Sequence, residues 1–224
     1  MWCIPPEQND EFVCVMENVL EVYKRPYSSN YPVVCLDEKS KQLVGEVCQP
    51  LAARPGQVER CDYEYIRNGT ANLFMMVEPL RGWRQVNVTA RRTKVDFAKQ
   101  VKELADVHYA GAERITLVMD NLNTHRLSSL YEAFEPDEAR RLIDRFEVVH
   151  TPRHGSWLNM AECELSVLEK QTLAQRIGDE RELHTRVMHW NSERNNRSKQ
   201  IDWQFTTTDA RIKLRRLYPK IHVR

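Results

Sequence analysis

Residues 117–125 read LVMDNLNTH, a short apolar stretch that ends in Asp120 and continues into an asparagine-rich turn with a histidine. An apolar run of this length favours a strand buried on both faces of a sheet. Residues 33–40, VVCLDEKS, repeat the form, because Asp37 directly follows the apolar residues 33–36. Open α/β sheets bind ligands beyond the ends of their strands, so the two aspartates predict a site at one edge of a sheet.

A third stretch, residues 154–168, reads HGSWLNMAECELSVL and has the spacing of a helix that follows a turn. On a helical wheel Glu164 falls inside the apolar arc, whereas Glu162 lies at its edge. An edge glutamate is usually solvated, and a glutamate inside the arc would need a cationic partner. Helical periodicity therefore leaves both residues open as a third carboxylate beside the two aspartates.

The composition is that of a globular protein, since 42% of the 224 residues are hydrophobic and 29% are charged. No window approaches the roughly 18 uninterrupted apolar residues of a membrane span, so we expect none. The cysteines are scattered without a CxxC pair, which favours a reducing cytoplasm and argues against a structural zinc.

The charge is unevenly distributed along a chain whose net charge is only +1. Residues 1–23 carry acids and no lysine or arginine, whereas residues 81–95 and the tail from 211 carry bases and no acid. Two basic patches on a neutral chain fit a partner with a phosphate backbone, and solvated surface charge is the alternative. The basic residues are Arg81, Arg84, Arg91, Arg92 and Lys94 in the first patch and Arg211, Lys213, Arg215, Arg216, Lys220 and Arg224 in the tail.

Apolar runs and alternation predict strands over 33–36, 71–80, 83–92, 115–119 and 146–150. Residues 61–67 alternate as a further strand that ends at a hairpin turn signal, Asn68-Gly69, and residues 41–57 read as irregular. Helical spacing and caps predict helices over 9–24 with Asn9 as N-cap, after Thr93, over 126–134, from 137, over 157–174, over 179–194 capped by Asp179, and near the C-terminus.

The order of these elements is three antiparallel strands followed by alternating helices and strands. It predicts an α/β fold with a mixed five-stranded sheet and helices on both faces.

The three carboxylate stretches, taken in chain order as VVCLDEKS, LVMDNLNTH and HGSWLNMAECELSVL, resemble the DDE transposases of the mariner-like superfamily, and most closely the bacterial insertion-sequence-630 family. The resemblance extends to RPGQ at 54–57, YIRNGTANLFM at 65–75 and the tail IDWQFTTTDARIKLRRLYP at 201–219. It implies a ribonuclease-H-like fold, which agrees with the order of elements. It also implies a cut-and-paste DNA transposase that cleaves DNA and transfers strands by in-line phosphoryl transfer.

The family pattern Leu-Asn-x-x-Glu ahead of Ser-Val-Leu selects Glu162 over Glu164. The implied catalytic and metal-binding triad is Asp37, Asp120 and Glu162, with the last two 42 positions apart. Carboxylate oxygens are hard ligands that suit Mg²⁺, with Mn²⁺ as a substitute. We expect two ions, with Asp37 bridging both, because a two-ion site clamps the attacking and leaving oxygens of the displacement.

The implied partner is double-stranded DNA, both transposon ends and target, bound by a homodimer in a bacterial cytoplasm at the nucleoid. We expect Arg153, His154 and Ser156 to contact DNA phosphates near the active site, and Arg91 and Arg92 to contact DNA from the first basic patch. The alternative for the first three is that they are ordinary loop residues.

Family members normally carry an N-terminal helix-turn-helix region that reads the transposon ends, whereas residues 1–28 predict only a helix and a linker. Residues 29–178 are the predicted catalytic domain, and residues 179–224 a helical, basic extension. We expect either a truncated reading frame or end binding by another polypeptide, with weak, salt-dependent DNA binding. The alternatives are another ribonuclease-H-like nuclease and an inactive or truncated remnant that acts only as a DNA-binding or interaction module.

Overall fold

The computed structural model describes residues 4–5, 7–48, 51–58, 60, 62–122 and 126–219. Within these residues five strands form one mixed sheet in the order β3-β2-β1-β4-β5. Strands β1 to β3 pair antiparallel, and β4 and β5 continue the sheet parallel to β1, so the predicted mixed sheet is confirmed. The strands are β1 (Val33–Glu46), β2 (Tyr65–Glu78), β3 (Trp83–Thr89), β4 (Ile115–Met119) and β5 (Phe146–His150).

Three of the helices begin at N-cap residues that the sequence predicts. The side chains of Asn9, Thr93 and Asp179 each accept a backbone N–H of the first turn that follows, as predicted. No helix in the described ranges has both the length and the apolar character to cross a bilayer. The helices are α1 (Asp10–Tyr23), α2 (Lys94–Glu103), α3 (Leu130–Ala133), α4 (Pro136–Ile143), α5 (Met160–Leu168), α6 (Glu180–Asn196) and α7 (Thr207–Lys213).

Successive side chains on a strand point to opposite sides of the sheet, so each face has its own apolar core. Helices cover both faces. On one face, which contains Cys35 of β1, the core is shared with α1, α5, α6 and α7. On the other face, which contains Leu36, the core is shared with α2, α3 and α4. We call these the α5 face and the α2 face. Helices from all three predicted segments pack on the α5 face, and the boundaries at 28/29 and 178/179 stay a prediction.

Two predicted boundaries are wrong in the first half of the sheet. Residues 61–67 and the following apolar stretch do not form two strands, because β2 runs through Asn68 and Gly69 without a hairpin. Strand β1 also extends into the stretch of residues 41–57 expected to be irregular and ends at Glu46. The pairing register shifts at this level, between Gln42 and Val44 of β1, and Gly69 has a φ of +106°. An Asn-Gly pair serves a bulge as well as a turn, since glycine adopts positive φ without strain.

The helix predicted from residue 157 also begins differently. Residues 156–158 form a separate 3₁₀ turn, and α5 starts only after Asn159, whose side chain is its N-cap. This break decides the geometry of the third carboxylate stretch.

Candidate active site

Asp37 and Asp120 occupy corresponding positions on neighbouring parallel strands. The register of β1 and β4 pairs Cys35 with Val118, and each aspartate follows its paired residue by two positions. Cys35 and Val118 both belong to the core of the α5 face. Because side chains alternate along a strand, Asp37 is directed to that same face, and Asp120 directly follows the end of β4. Asp37 is buried, with 8% of its surface exposed, and Asp120 is half-buried.

Asn159 joins the strand of Asp37 to the helix of Glu162. Its Oδ1 accepts from the backbone N–H of Ala161 at 3.1 Å, and its Nδ2 donates to the carbonyl oxygen of Leu36 at 2.8 Å. Leu36 precedes Asp37, and Ala161 precedes Glu162. A fully buried side chain therefore ties together the backbone beside two of the three predicted ligands.

A second contact, from α1, also holds the start of α5 against β1. The hydroxyl of Tyr23 donates to the carbonyl oxygen of Leu158 at 2.7 Å and lies 3.5 Å from Sγ of Cys35. Burial raises the pKa of Tyr23 well above its ordinary range, and it raises the pKa of the Cys35 thiol to about 12. Both groups therefore stay protonated, and the 3₁₀ turn ahead of α5 is held against the strand.

Asp37 and Glu162 line one open depression of about 340 Å³, together with Glu38, Lys39 and Glu169 among others. Asp120 is not among the residues found to line it. Within the described part of the chain, no three histidine, cysteine, aspartate or glutamate side chains are grouped so that they could hold a metal ion. The structure thus brings Asp37 and Glu162 together and leaves Asp120 at the end of the adjacent strand.

The chemistry of these donors nevertheless fits a hard divalent cation. Carboxylate oxygens are the ligands that Mg²⁺ prefers, and an open depression leaves coordination positions for water or a phosphate. Asp37 and Glu162 could offer such oxygens from one side, and Asp120 could do so from the neighbouring strand.

Glu164 lies on the opposite side of α5 and has a different environment. It is 2% exposed, and the Arg194 guanidinium donates to both of its oxygens at 3.0 and 2.8 Å. Nε of the fully buried Arg84 lies 3.0 Å from Oε2 of Glu164. Burial lowers the pKa of Arg84, and the nearby carboxylate opposes this shift. Glu164 is therefore a buried acid with cationic partners.

The same contact corrects the interpretation of the first basic patch. Arg84 is an interior residue that also donates to the carbonyl oxygens of Gly82 and Lys199. It cannot contact a DNA backbone while it is buried in this way. In the tail, Arg211 binds the carboxylate of Glu17 with two hydrogen bonds of 2.9 Å, so part of the basic tail neutralises the acidic N-terminal helix.

The two arginines predicted to contact DNA from the first patch are both exposed. Nη1 of Arg92 donates to Oε1 of Glu38 at 3.0 Å, which places this guanidinium beside the residue that follows Asp37. Arg91 is the neighbouring residue in the loop ahead of α2. Their role in DNA binding stays a prediction.

Arg153, His154 and Ser156 are all exposed in the loop between β5 and α5. The strand that precedes this loop ends at His150, whose Nδ1 lies 3.2 Å from the carbonyl oxygen of Asp120. The loop therefore connects the neighbour of Asp120 to the helix of Glu162, and its contacts with DNA stay a prediction. His125, together with Lys220 and Arg224 of the tail, lies outside the described residues.

Comparison with known proteins agrees with this geometry. A family model described as DDE superfamily endonuclease matches residues 32–184. No curated protein matches the chain in sequence.

Three solved structures of the Mos1 mariner transposase are similar to the chain. The paired-end complex with Mg has a TM-score of 0.58 at 14% identity and covers 97% of this chain and 66% of its own. The paired-end complex with the left transposon end has a TM-score of 0.56 at 16% identity and covers 88% of this chain and 60% of its own. The isolated catalytic domain has a TM-score of 0.51 at 14% identity and covers 88% of this chain and 96% of its own.

The chain thus spans about 60% of the length of the Mos1 chain in the left-end complex. The structural likeness shows the fold, which is that of the ribonuclease-H-like catalytic domain. The matched segment contains Asp37, Asp120 and Glu162 and covers well over half of the chain. The chain therefore belongs to the DDE superfamily endonuclease family.

Proposed function

We propose that this chain is the catalytic domain of a cut-and-paste DNA transposase of the insertion-sequence-630 type. The observation that carries the proposal is the arrangement around Asn159, which ties the helix of Glu162 to the strand of Asp37. The matching position of Asp120 on the neighbouring parallel strand supports it. Membership of an endonuclease family supports DNA cleavage as the reaction class.

Asp37, Asp120 and Glu162 would hold two Mg²⁺ ions, for which Mn²⁺ can substitute. Ions held there would supply activation of the attacking oxygen and stabilisation of the leaving oxygen in an in-line displacement at phosphorus. The attacking group is water in strand cleavage and a DNA 3′-hydroxyl in strand transfer. Asn159 and Tyr23 keep Asp37 and Glu162 in position, so that the carboxylates need not reorganise during the reaction.

Double-stranded DNA is the proposed substrate, as transposon end and as target. Arg153, His154 and Ser156 would bind its phosphates from the loop beside Asp120, and Arg91 and Arg92 would bind them near Asp37. The Mos1 complexes contain paired transposon ends, which supports a homodimer as the active form here. The bacterial nucleoid is the compartment in which such a substrate is met.

Nicking of a supercoiled plasmid in Mn²⁺ or Mg²⁺ tests this function. We expect nicking by the unmodified chain and a loss on the order of 10²–10³-fold in Asp37→Asn, Asp120→Asn and Glu162→Gln, because each removes stabilisation of transition-state charge. Glu11→Gln is the matched control, since Glu11 is an exposed first-turn acid of a helix that also begins at an asparagine N-cap.

Full metal-dependent nicking by Asp37→Asn would contradict the proposed triad. A lack of nicking by the unmodified chain would favour the inactive alternative, in which the protein acts only as a DNA-binding or interaction module.

A further inference from the structure

A second depression lies beside the proposed active site on the α5 face. It has a volume of about 680 Å³ and is formed by α6 and the π-helical turn of residues 169–173 that continues α5. Its lining includes the cations Lys170, Arg186 and Arg197, and its acid is Glu193. We call it the α6 groove. Its size is that of a ligand-binding cleft, and its lining carries a surplus of positive charge.

The α6 groove adjoins the proposed active site. Lys170 lines both this groove and the depression that contains Asp37 and Glu162. The adjacent acid, Glu169, is neutralised by Lys39 at 3.1 Å and Lys41 at 3.5 Å. A polymer bound at the two carboxylates could therefore enter the groove without meeting an uncompensated negative charge at the junction.

The two arginines of the groove are held by pairs that an anion can replace. Arg186 pairs with Glu182 at 2.6 Å, and Arg197 pairs with Glu193, in each case one turn away along α6. Pairs of this kind on an exposed helix surface contribute little to stability. A phosphate accepts the same two-pronged hydrogen bonds from a guanidinium as a carboxylate does.

The floor of the groove links the two elements that form it. Trp190 is buried, and its Nε1 donates to Oε1 of Gln171 at 2.8 Å, which links α6 to the π-helical turn. The cationic side chains thus project from two linked elements, as simultaneous contacts with an extended polyanion require.

We propose that the α6 groove binds the phosphate backbone of the double-stranded DNA that flanks the cleaved position. The site rests on the proposed function for its substrate class. Its lysine and arginines neutralise phosphates, so its contribution to binding is independent of base sequence and falls with salt concentration.

Salt-dependent binding of a long fluorescent DNA duplex of arbitrary sequence tests the groove. The triple variant Lys170→Ala/Arg186→Gln/Arg197→Gln should reduce the slope of log K against log salt by about 0.9 for each lost phosphate contact, or roughly 2.7 for three. The single variant Arg197→Gln should reduce the slope by about 0.9. Thermal denaturation of each variant checks that the fold is retained.

Arg140→Gln is a matched control, because Arg140 also pairs with an acid one turn away and its side chain is 64% exposed, compared with 63% for Arg197. It lies on α4, on the α2 face of the sheet, and should leave the slope unchanged.

An unchanged slope in the folded triple variant would overturn the groove as a DNA site, even if the unmodified chain nicks plasmid. A reduced slope in the triple variant alone would support the groove, even if the unmodified chain does not nick. An equal reduction of the slope in the triple variant and in Arg140→Gln would also overturn the proposal, because the general charge of the protein rather than the groove would then set the affinity for DNA. The two proposals can therefore fail separately.

Discussion

Glu162 and Glu164 stand two positions apart on α5, yet they meet different surroundings. Glu164 is buried between Arg84 and Arg194, whereas Glu162 is half-buried beside Asp37 in an open depression. Two residues turn an α-helix through about 200°, so the two side chains leave it on opposite sides. One side of α5 therefore anchors the helix, and this anchoring holds the carboxylate on the other side where a ligand could reach it.

The largest expected effect on stability separates the two glutamates directly. Glu164→Gln should lower the free energy of unfolding by about 3–5 kcal/mol, because the buried Arg84 would lose its counter-charge. Glu162→Gln should change the same quantity by less than about 0.5 kcal/mol, since its position is partly solvated. Urea denaturation at neutral pH measures both.

The double variant Arg84→Met/Glu164→Leu controls for simple loss of packing. It should be more stable than the sum of the two single changes predicts, because it removes the fully buried Arg84 together with its counter-charge and leaves only the partly exposed Arg194 without an acid. If the loss of unfolding free energy in the double variant equals the sum of the two single losses, the pair does not act as the anchor of α5.

A smaller effect on stability is expected at Asn159, which caps α5 and bonds to the backbone of β1. Asn159→Ala should lower the free energy of unfolding by about 2–3 kcal/mol, because it removes an N-cap and a buried donor to the Leu36 carbonyl. Asn9→Ala removes an N-cap that makes no such bridge, so it should lower the free energy of unfolding by only about 1 kcal/mol.

Asn159→Asp separates capping from bridging. It retains an oxygen for the Ala161 N–H but replaces the donor to Leu36, so Mn²⁺ affinity measured by calorimetry should fall while the helix cap is preserved. Unchanged metal affinity in this variant would mean that the bridge does not position Glu162.

Tyr23→Phe should lower the free energy of unfolding by a smaller amount, about 0.5–1.5 kcal/mol, because it deletes the hydroxyl that donates to the Leu158 carbonyl and leaves the ring in place. The same change at Tyr27, whose side chain is 53% exposed, should have almost no effect on thermal stability. Equal losses at both positions would contradict the role of the Tyr23 hydroxyl as a brace for α5.

The smallest effect is expected for an acid that is paired at the surface, in contrast to the buried Glu164. Arg25 donates to both oxygens of Glu147 at 2.7 and 3.0 Å and, with Thr116, lowers the pKa of Glu147 from 4.5 to about 2. A carboxyl with a lowered folded pKa stabilises the fold above its unfolded pKa, and this contribution is lost as pH falls from about 4.5 towards 2.

Arg25→Gln should therefore destabilise the protein by less than about 1 kcal/mol at pH 7, since solvent screens the half-exposed pair. The difference from the unmodified chain should shrink as pH falls through that window, which denaturation at a series of pH values measures. A difference that is constant with pH would show that the pair is not the cause.

The parts of the fold that could be predicted from sequence depend on neighbours within a few positions. The apolar run before Asp120 identified β4, and the cap residues Asn9, Thr93 and Asp179 identified three helix starts. The predictions that were wrong involve local signals with two outcomes. Asn68-Gly69 serves a hairpin or a bulge, and which one forms depends on the pairing of β2 with β1.

Most of the elements, the two strand-end aspartates and the presence of two candidate glutamates could be predicted from the chain alone, because alternation, helical period and caps are short-range properties. Tertiary structure alone decided the surroundings of those glutamates. The contact between Glu164 and Arg84 joins α5 to β3, and the hydrogen bond from Asn159 to Leu36 joins residues 123 positions apart. The register that sets Asp37 level with Asp120 likewise exists only when β1 pairs with β4. Such pairings depend on packing across the sheet, and no local pattern encodes them.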